Sequence, residues 1–205
     1  MTLICAHRVN EPTALDALDP AFGVEMDLRS EGGRLILVHD PFTDGPDFDD
    51  WLEHYRHRFI VLNTKEEGLE PRIEEALARH GVTDWAYLDQ SFPFLVRTLA
   101  RGETRTMVRV SEYESVETAL ALSPRPDWVW LDSFTGAWPE ADALARLAEH
   151  GFRIMVVSPE LQGRPLEPEF ETITQRFTEA GVPLHGVCSK RPEVWNRPGA
   201  SWWSP

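Results

Sequence analysis

Short apolar runs alternate with amphipathic stretches along nearly the whole chain, and this alternation constrains the fold more than any other feature of the sequence. Each run has the length of a β-strand, and glycine, proline or aspartate separates most runs from the stretch that follows. Strands that alternate with helices indicate βα units and a parallel sheet. The runs predict eight strands: Leu3–His7, Val24–Leu28, Phe59–Lys65, Trp85–Asp89, Thr106–Val110, Trp128–Asp132, Arg153–Ser158 and Gly186–Lys190.

Between most of these strands lies a predicted helix. The helices are Glu70–His80, Pro93–Arg101, Ser115–Leu122, Pro139–His150 and Pro168–Ala180. Glycine follows His80, His150 and Ala180, which is typical of a helix C-terminus. Eight strands and their helices predict a compact (β/α)8 TIM barrel, since the 205 residues lie near the lower limit of ~200 for that fold. An open doubly wound sheet is the alternative, but its glycine-rich first turn is missing.

One additional run, Arg34–His39, interrupts the alternation after the second strand. It follows the turn residues Gly32 and Gly33, so we expect a short β-hairpin excursion there. The whole chain, residues 1–205, is predicted to be one domain. Residues 191–205 form a C-terminal tail whose Trp202 and Trp203 are costly to leave in water, which predicts a tail docked onto the barrel or onto a second subunit of a homo-oligomer.

Charge and hydropathy exclude several classes of function. Lys and Arg number 20 against 34 Asp and Glu, and the net charge of −14 disfavours binding to a nucleic-acid backbone. No apolar run approaches the ~18 residues of a membrane span, and the first residues do not resemble a secretion signal. We therefore expect a cytoplasmic protein without a membrane span, in which Cys5 and Cys188 are buried thiols.

Reactive polar residues end several of the predicted strands, where the active site of a parallel barrel is built. His7 and Arg8 end the first strand, and Lys65 and Lys190, the chain's only two lysines, end the third and the last strand. Lysine suits a site where a compact positive charge meets a phosphate or a carbonyl group. Asp89 and Asp132 also end strands, where they either line the pocket or cap the next helix.

Two carboxylates and two histidines complete the candidate site. Glu25 and Asp27 are two residues apart on one strand, so their side chains share a face and offer oxygen ligands to Mg²⁺ or Ca²⁺. The alternative is a carboxylate pair neutralised by Arg8 or Arg29. His7 and His39, each beside a charged residue, are candidates for general acid and general base, because imidazole titrates near neutral pH.

The order of these motifs resembles the glycerophosphodiester phosphodiesterase family of phospholipase-C-like barrels. The family pattern of HRG, ENT, ExD, HD and an IEIK-like strand corresponds here to His7-Arg8-Val9, Glu11-Pro12-Thr13, Glu25-Met26-Asp27, His39-Asp40 and Leu62-Asn63-Thr64-Lys65. Gln90-Ser91-Phe92 and Ser189-Lys190-Arg191-Pro192 are similar to later family motifs. The likeness therefore extends over nearly the whole chain and is strongest over residues 3–65.

The resemblance implies a role for each matching residue. His7 and His39 are expected to act as acid and base, Arg8, Lys65 and Lys190 to bind phosphate, and Glu25 and Asp27 to hold a divalent ion, Mg²⁺ or Ca²⁺. Asn63 replaces the third carboxylate ligand of the family, so we expect weaker metal binding. The implied activity is hydrolysis of a small glycerophosphodiester-like substrate.

Two other functions remain open from the sequence. A barrel that binds a phosphate ester without hydrolysing it, or hydrolysis without metal, is suggested by Val9 and Asn63, which depart from the family pattern. An aldolase or dehydratase could use Lys65 as a Schiff-base nucleophile, although that reading leaves the histidines and the carboxylate pair unexplained.

Overall fold

The computed structural model describes residues 2–196, without the side chain of Pro168. The chain divides into two compact units, which we call the first unit (residues 5–97) and the second unit (residues 2–4 and the chain from residue 98 onward). The predicted single domain over residues 1–205 stays a prediction. Within residues 2–196, no helix combines the length and the apolar composition needed to span a bilayer.

In the first unit, parallel strands pair in the order β1-β2-β4-β5, and β3 pairs antiparallel with β2. The predicted hairpin excursion after the second strand is therefore confirmed, with Leu28 opposite Leu37. The elements are β1 (Leu3–Ala6, whose first two residues belong to the second unit), α1 (Pro12–Ala17), β2 (Gly23–Glu31), β3 (Arg34–Leu37), α2 (Phe48–His54), β4 (Ile60–Thr64), α3 (Glu70–Arg79), β5 (Trp85–Leu88) and α4 (Phe92–Ala100, whose last three residues belong to the second unit).

In the second unit, parallel strands pair in the order β6-β7-β8-β9, and the backbone N–H of Leu3 donates to the carbonyl of His185 at 2.9 Å. The elements are β6 (Met107–Val110), α5 (Val116–Leu120), β7 (Trp128–Leu131), α6 (Ala141–Glu149), β8 (Arg153–Val157), a short 3-10 helix (Pro159–Gln162), α7 (Leu166–Ala180), β9 (Gly186–Ser189) and α8 (Pro192–Trp195).

This succession of eight parallel strands with alternating helices confirms the predicted fold class, a compact (β/α)8 TIM barrel. Almost every residue of the strands is buried, which is why the strands appear in the sequence as continuous apolar runs. The predicted helix ends are also confirmed, since Gly81 and Gly151 have φ values of +69° and +84°, where a side chain would be strained.

Three short helices, α1, α2 and α8, were not predicted. Each has seven residues or fewer, too few to establish a helical period in the sequence. Their signals are local: α1 begins at Pro12, and the Asp47 side chain caps α2 by accepting the backbone N–H of Asp49 at 2.9 Å. His54, predicted to lie on a solvated face, is the last residue of α2 and is 44% exposed.

The core of the first unit positions the loop after β1. Trp51 of α2 is fully buried, and its indole N–H donates to the carbonyl of Val9 at 3.1 Å. The backbone N–H of Val9 donates in turn to the carbonyl of Glu25 at 2.8 Å. Packing beneath the strands thus fixes the backbone that carries Arg8.

The described part of the C-terminal tail is packed within the second unit. Trp195 of α8 is buried, lies 4.7 Å from Phe170 between ring centroids, and donates its indole N–H to Ser158 Oγ at 2.9 Å. Trp202 and Trp203 lie outside the described residues, so the docked tail over residues 191–205 stays a prediction. Cys5 and Cys188 are buried free thiols, as expected.

Candidate active site

The predicted site residues of the first unit lie on neighbouring strands, either just beyond the carboxyl end of a strand or, for Glu25 and Asp27, within β2. His7 directly follows β1, and Lys65 directly follows β4. In the pairing of β2 with β4, Asp27 lies opposite Asn63. Val38, the residue before His39, donates its backbone N–H to the carbonyl of Asp27 at 3.1 Å. One edge of the sheet in the first unit therefore carries these residues, which the sequence motifs singled out.

Glu25 is almost completely buried, with 1% of its side chain exposed. Its Oε2 accepts the backbone N–H of Arg8 at 2.7 Å, and its Oε1 accepts the side-chain amide of Asn63 at 2.9 Å. His7 Nε2 lies 3.7 Å from the same Oε2. Burial, and then the neighbouring charge of Asp27, raise the pKa of Glu25 to about 7, so the pair holds its negative charge at a cost.

Asp27 is buried to the same degree and lies between two cations. Arg8 Nε is 3.5 Å from Oδ2, and Lys65 Nζ is 3.3 Å from Oδ1. Asn10 holds the carboxylate from a third direction: its amide donates to Oδ2 at 3.0 Å, and its carbonyl oxygen accepts the backbone N–H of Asp27 at 2.9 Å. Because 46% of the Arg8 side chain is exposed, its guanidinium can reach an anion from solvent.

His39 lies at the exposed side of this edge. Its Nδ1 is 2.7 Å from Asp40 Oδ1, a contact that fixes the ring and holds the pKa of Asp40 below its usual value. Arg29 clamps the backbone here, because its guanidinium donates twice to the carbonyl of His39, at 3.1 and 2.9 Å, and once to that of Lys65, at 3.4 Å. Asp40 thus orients the ring of His39, and Arg29 holds the backbone that carries it.

The predicted divalent ion would need free, negatively charged oxygen ligands at this site. Each of the four oxygens of Glu25 and Asp27 already faces a nitrogen atom of the chain, and Arg8 and Lys65 balance the two negative charges. Asn63 Oδ1, which is buried and has no hydrogen-bond partner in the described chain, is one further oxygen. Among residues 2–196, no group of three or more His, Cys, Asp or Glu side chains is arranged to hold a metal ion.

Two neutralised carboxylates and one amide oxygen do not form the oxygen-rich, negatively charged site that Mg²⁺ or Ca²⁺ prefers. As arranged, these residues do not fit a divalent ion. The ion inferred from the family resemblance stays a prediction.

The remaining candidates have different surroundings. Lys190 is exposed and lies in the second unit, where its backbone N–H donates to Glu160 Oε1 at 3.2 Å, so its predicted role in phosphate binding stays a prediction. Asp132, also in the second unit, is buried and accepts from Gln162 and from Arg109. Asp89 lies 3.7 Å from Lys65 in the first unit, so it contacts the candidate site.

Asn10 was not among the predicted site residues. Of the two arginines predicted as alternative partners of the carboxylate pair, Arg8 lies beside Asp27, whereas the guanidinium of Arg29 binds backbone carbonyls. Asn10 lies two residues after Arg8 in the loop that Trp51 fixes, and its contact with Asp27 spans 17 positions. The available signal in the sequence was that Asn10, a polar residue, directly follows the His7-Arg8-Val9 motif.

Taken together, the strand ends carry a histidine beside a buried carboxylate pair, two cations at that pair and a second histidine oriented by an aspartate. The protein is therefore a (β/α)8 barrel that carries a candidate site for anion binding and acid–base chemistry.

Comparison with solved structures places this barrel among known folds. A glycerophosphodiester phosphodiesterase from Agrobacterium tumefaciens is 17% identical, with a TM-score of 0.67 over 95% of this chain and 97% of that one. A candidate glycerophosphodiester phosphodiesterase from Galdieria sulphuraria is 13% identical, with a TM-score of 0.70 over 94% and 95%. A tryptophan synthase α-subunit mutant from Pyrococcus furiosus is 18% identical, with a TM-score of 0.51 over 98% and 92%.

These likenesses confirm the barrel fold and agree with the family resemblance of the motifs, while the synthase subunit shows that the fold alone does not select one activity. No protein-family model matches the sequence, and no curated protein matches it either.

Proposed function

We propose that the chain is a phosphodiesterase that hydrolyses a small, glycerophosphodiester-like substrate by acid–base catalysis with His7 and His39. The observation that carries this proposal is the placement of Arg8 and Lys65 on the buried carboxylate of Asp27, beside His7. Two cations at one strand edge offer a site for a phosphate group, and a phosphodiester needs an acid and a base as well.

Phosphate binding follows from the charges. The carboxylate of Asp27 holds Arg8 and Lys65 on opposite oxygens, which prepares both cations before a substrate arrives. A phosphodiester carries one negative charge on its two non-bridging oxygens, and the extra charge that develops during attack is stabilised by the same two cations. Asp27 is therefore assigned a positioning role.

Proton transfer is assigned to the histidines. One imidazole removes the proton of the attacking hydroxyl, which is that of water or of a neighbouring alcohol group, while the other donates a proton to the oxygen of the leaving alcohol. The P–O bond to the attacking oxygen forms and the P–O bond to the leaving oxygen breaks. Glu25 lies near His7, and Asp40 contacts Nδ1 of His39, so each ring has a carboxylate that orients it for proton transfer.

The predicted divalent ion would bring positive charge to the phosphate oxygens, with Glu25, Asp27 and Asn63 as its ligands. Because the residues as arranged do not fit such an ion, no step above depends on it. The Schiff-base alternative receives no support from the contacts of Lys65, whose Nζ pairs with two carboxylates as a cation.

A panel of phosphodiesters tests the proposal. We expect the purified protein to convert bis(p-nitrophenyl) phosphate or a glycerophosphodiester to an alcohol and a phosphomonoester. The Arg8→Met variant should lose roughly 10²-fold in kcat/KM, as is typical when a preorganised charge partner of the transition state is removed. Arg34→Met, a change of an exposed arginine on β3, is the matched control. Binding of phosphate esters without turnover of any diester would instead establish a binding barrel.

A further inference from the structure

A cavity of about 520 Å³ lies at the amino ends of β4 and β5 in the first unit. One wall is the segment 52–58, which spans the end of α2 and the loop before β4, and the other is the segment 80–84 between α3 and β5. Lys65 and Asp89 follow the opposite, carboxyl ends of the same strands, about 15 Å away along the five residues of β4. The cavity is therefore separate from the candidate active site.

An aromatic stack forms one wall of the cavity and holds its shape. The ring of Tyr55 stacks on the fully buried ring of Trp51 at 5.8 Å between centroids, and the ring of His57 lies 5.8 Å from that of Tyr55. On the other wall, the carbonyl of Asp84 accepts the backbone N–H of Ile60 at 3.1 Å, which ties the loop before β5 to β4. The cavity is therefore preformed, and its volume lies in the range of ~300–1,000 Å³ that is typical of sites for small molecules.

Two buried polar atoms of the aromatic wall supply the first indication of a ligand. Tyr55 Oη and His57 Nδ1 have no hydrogen-bond partner within residues 2–196. His57 Nε2 lies 3.3 Å from the carbonyl oxygen of Leu18, which can only accept, so Nε2 carries the proton and Nδ1 of the neutral ring is an acceptor. Buried polar atoms without partners are unfavourable. The pair therefore favours a ligand group that both donates and accepts hydrogen bonds, as a hydroxyl group does.

The arginine side chains supply the second indication. Arg56 is exposed, and its guanidinium donates to the carbonyl of Tyr55 at 2.7 Å but pairs with no carboxylate within residues 2–196. Arg58, which is also exposed, brings a second positive charge to the lining. A guanidinium group binds a phosphate or a carboxylate through two parallel hydrogen bonds. The arginines therefore favour a ligand that carries one of these anionic groups.

The rest of the lining suits hydroxyl groups better than apolar ones. Glu53 and Asp84 are exposed carboxylates that accept hydrogen bonds, and Thr83 contributes a hydroxyl group, whereas the aliphatic side chains are only Leu52 and Val82. At ~30 Å³ for each water-sized group, the cavity has room for about seventeen such groups. That is the size of a hexose that carries a phosphate or a carboxylate.

We infer that this cavity is a second binding site, which takes an anionic sugar: a molecule of hexose size with several hydroxyl groups and one phosphate or carboxylate. Arg56 and Arg58 bind the anionic group, and Tyr55, His57 and Asp84 bind hydroxyl groups. The inference does not depend on the proposed function, because no residue of the candidate active site lines the cavity.

Titration calorimetry tests the inference with two anionic sugars, glucose 6-phosphate and gluconate. Glucose and inorganic phosphate each lack one of the two recognised features, and adenosine monophosphate replaces most of the hydroxyl groups with a base. We expect at least one anionic sugar to bind roughly tenfold or more tightly than glucose, inorganic phosphate and the nucleotide, the ratio that one charge-assisted hydrogen bond provides. The tighter of the two sugars identifies the anionic group.

Two variants assign the binding to the cavity. Arg56→Met should lower the affinity for that sugar roughly tenfold, and Tyr55→Phe should lower it roughly three- to tenfold. Tyr55→Phe removes a hydroxyl without a partner in the described chain, so its Tm should equal or exceed that of the wild type, whereas a purely structural hydroxyl would lower the Tm.

Matched controls accompany both variants. Arg72 is exposed on α3 and, like Arg56, donates to a backbone carbonyl, that of Gly33, so Arg72→Met should bind the sugar as the wild type does. Tyr113→Phe makes the same change as Tyr55→Phe at a tyrosine that is 75% exposed in the second unit, and it should also leave the affinity unchanged. Arg8→Met changes the opposite end of the strands and should keep the binding.

Several outcomes would overturn the inference. Loss of sugar binding in Arg8→Met together with full binding in Arg56→Met would place the ligand at the candidate active site instead. Inorganic phosphate that binds as tightly as both sugars would reduce the cavity to an anion site, and tighter binding of adenosine monophosphate would favour a nucleotide. Absence of binding by both sugars at millimolar concentration would also overturn it. None of these results depends on phosphodiester hydrolysis, so the proposed function is tested separately.

Discussion

Replacing Lys65 with methionine should destabilise the protein, and the loss should depend on pH. The change keeps the length of the side chain and removes the ammonium group that lies 3.3 Å from Asp27 Oδ1. Removing one partner of a buried ion pair costs ~3–5 kcal/mol, but Asp27 keeps Arg8 and Asn10, so we expect a loss of about 2–3 kcal/mol at pH 8. For a chain of this size, that corresponds to a fall in Tm of about 4–12 °C.

The pH dependence follows from Glu25. Its pKa of about 7 in the folded protein lies above the ordinary 4.5, so its contribution to stability is fully present below pH ~4.5 and is lost as the pH rises through 7. The charge of Lys65 lowers the pKa of Glu25, so Lys65→Met should raise this pKa further. At pH 5, where Glu25 is protonated, the loss of stability caused by Lys65→Met should therefore be smaller than at pH 8.

Urea unfolding followed by tryptophan fluorescence at pH 5 and pH 8 measures the effect of Lys65→Met. Lys190→Met, which replaces the other lysine at an exposed position, is the control and should change the free energy of unfolding by less than ~0.5 kcal/mol. A Lys65→Met variant as stable as the wild type, or one with the same deficit at both pH values, would refute the charge balance described for the carboxylate pair.

Two further predictions concern Asn63 and Glu112. Asn63→Glu adds a third carboxylate to a site where two cations balance two carboxylates. Calorimetry should therefore show that the variant binds Mg²⁺ roughly tenfold or more tightly than the wild type does. Equal affinities would show that charge does not limit metal binding. Glu112→Gln should cost about 1–3 kcal/mol, because the carboxylate accepts hydrogen bonds from Ser133, Phe134 and Thr135. Burial raises the pKa of Glu112, but the hydrogen bonds outweigh it and hold the pKa far below its usual value, so this contribution should disappear as the pH falls below ~4.

The sequence was sufficient for the architecture because parallel strands are buried on both faces and therefore appear as short apolar runs. It was also sufficient for the site residues of the first unit, since His7 and Lys65 directly follow β1 and β4, and Asp27 alternates with apolar residues within β2. The helices α1 and α2 were missed because each is shorter than two turns of detectable period.

The contacts that organise the site were not readable from the sequence. Asn10 meets Asp27, and Arg29 meets the carbonyl of His39, only because strand pairing brings distant segments together. The lack of a hydrogen-bond partner for Asn63 Oδ1 within residues 2–196 depends on the packing around one atom, which no local pattern encodes.

The rate of phosphodiester hydrolysis in excess EDTA, measured for the wild type, His7→Ala, His39→Ala and the control His54→Ala, tests the acid–base mechanism directly. We expect the wild type and His54→Ala, whose exposed imidazole pairs with Asp16, to hydrolyse the diester at the same rate. His7→Ala and His39→Ala should each lose ~10²–10⁴-fold in kcat with unchanged unfolding curves. Equal rates in all four proteins, or a wild type that is inactive until Mg²⁺ or Ca²⁺ is restored, would contradict catalysis by two histidines on a phosphate held by Arg8 and Lys65.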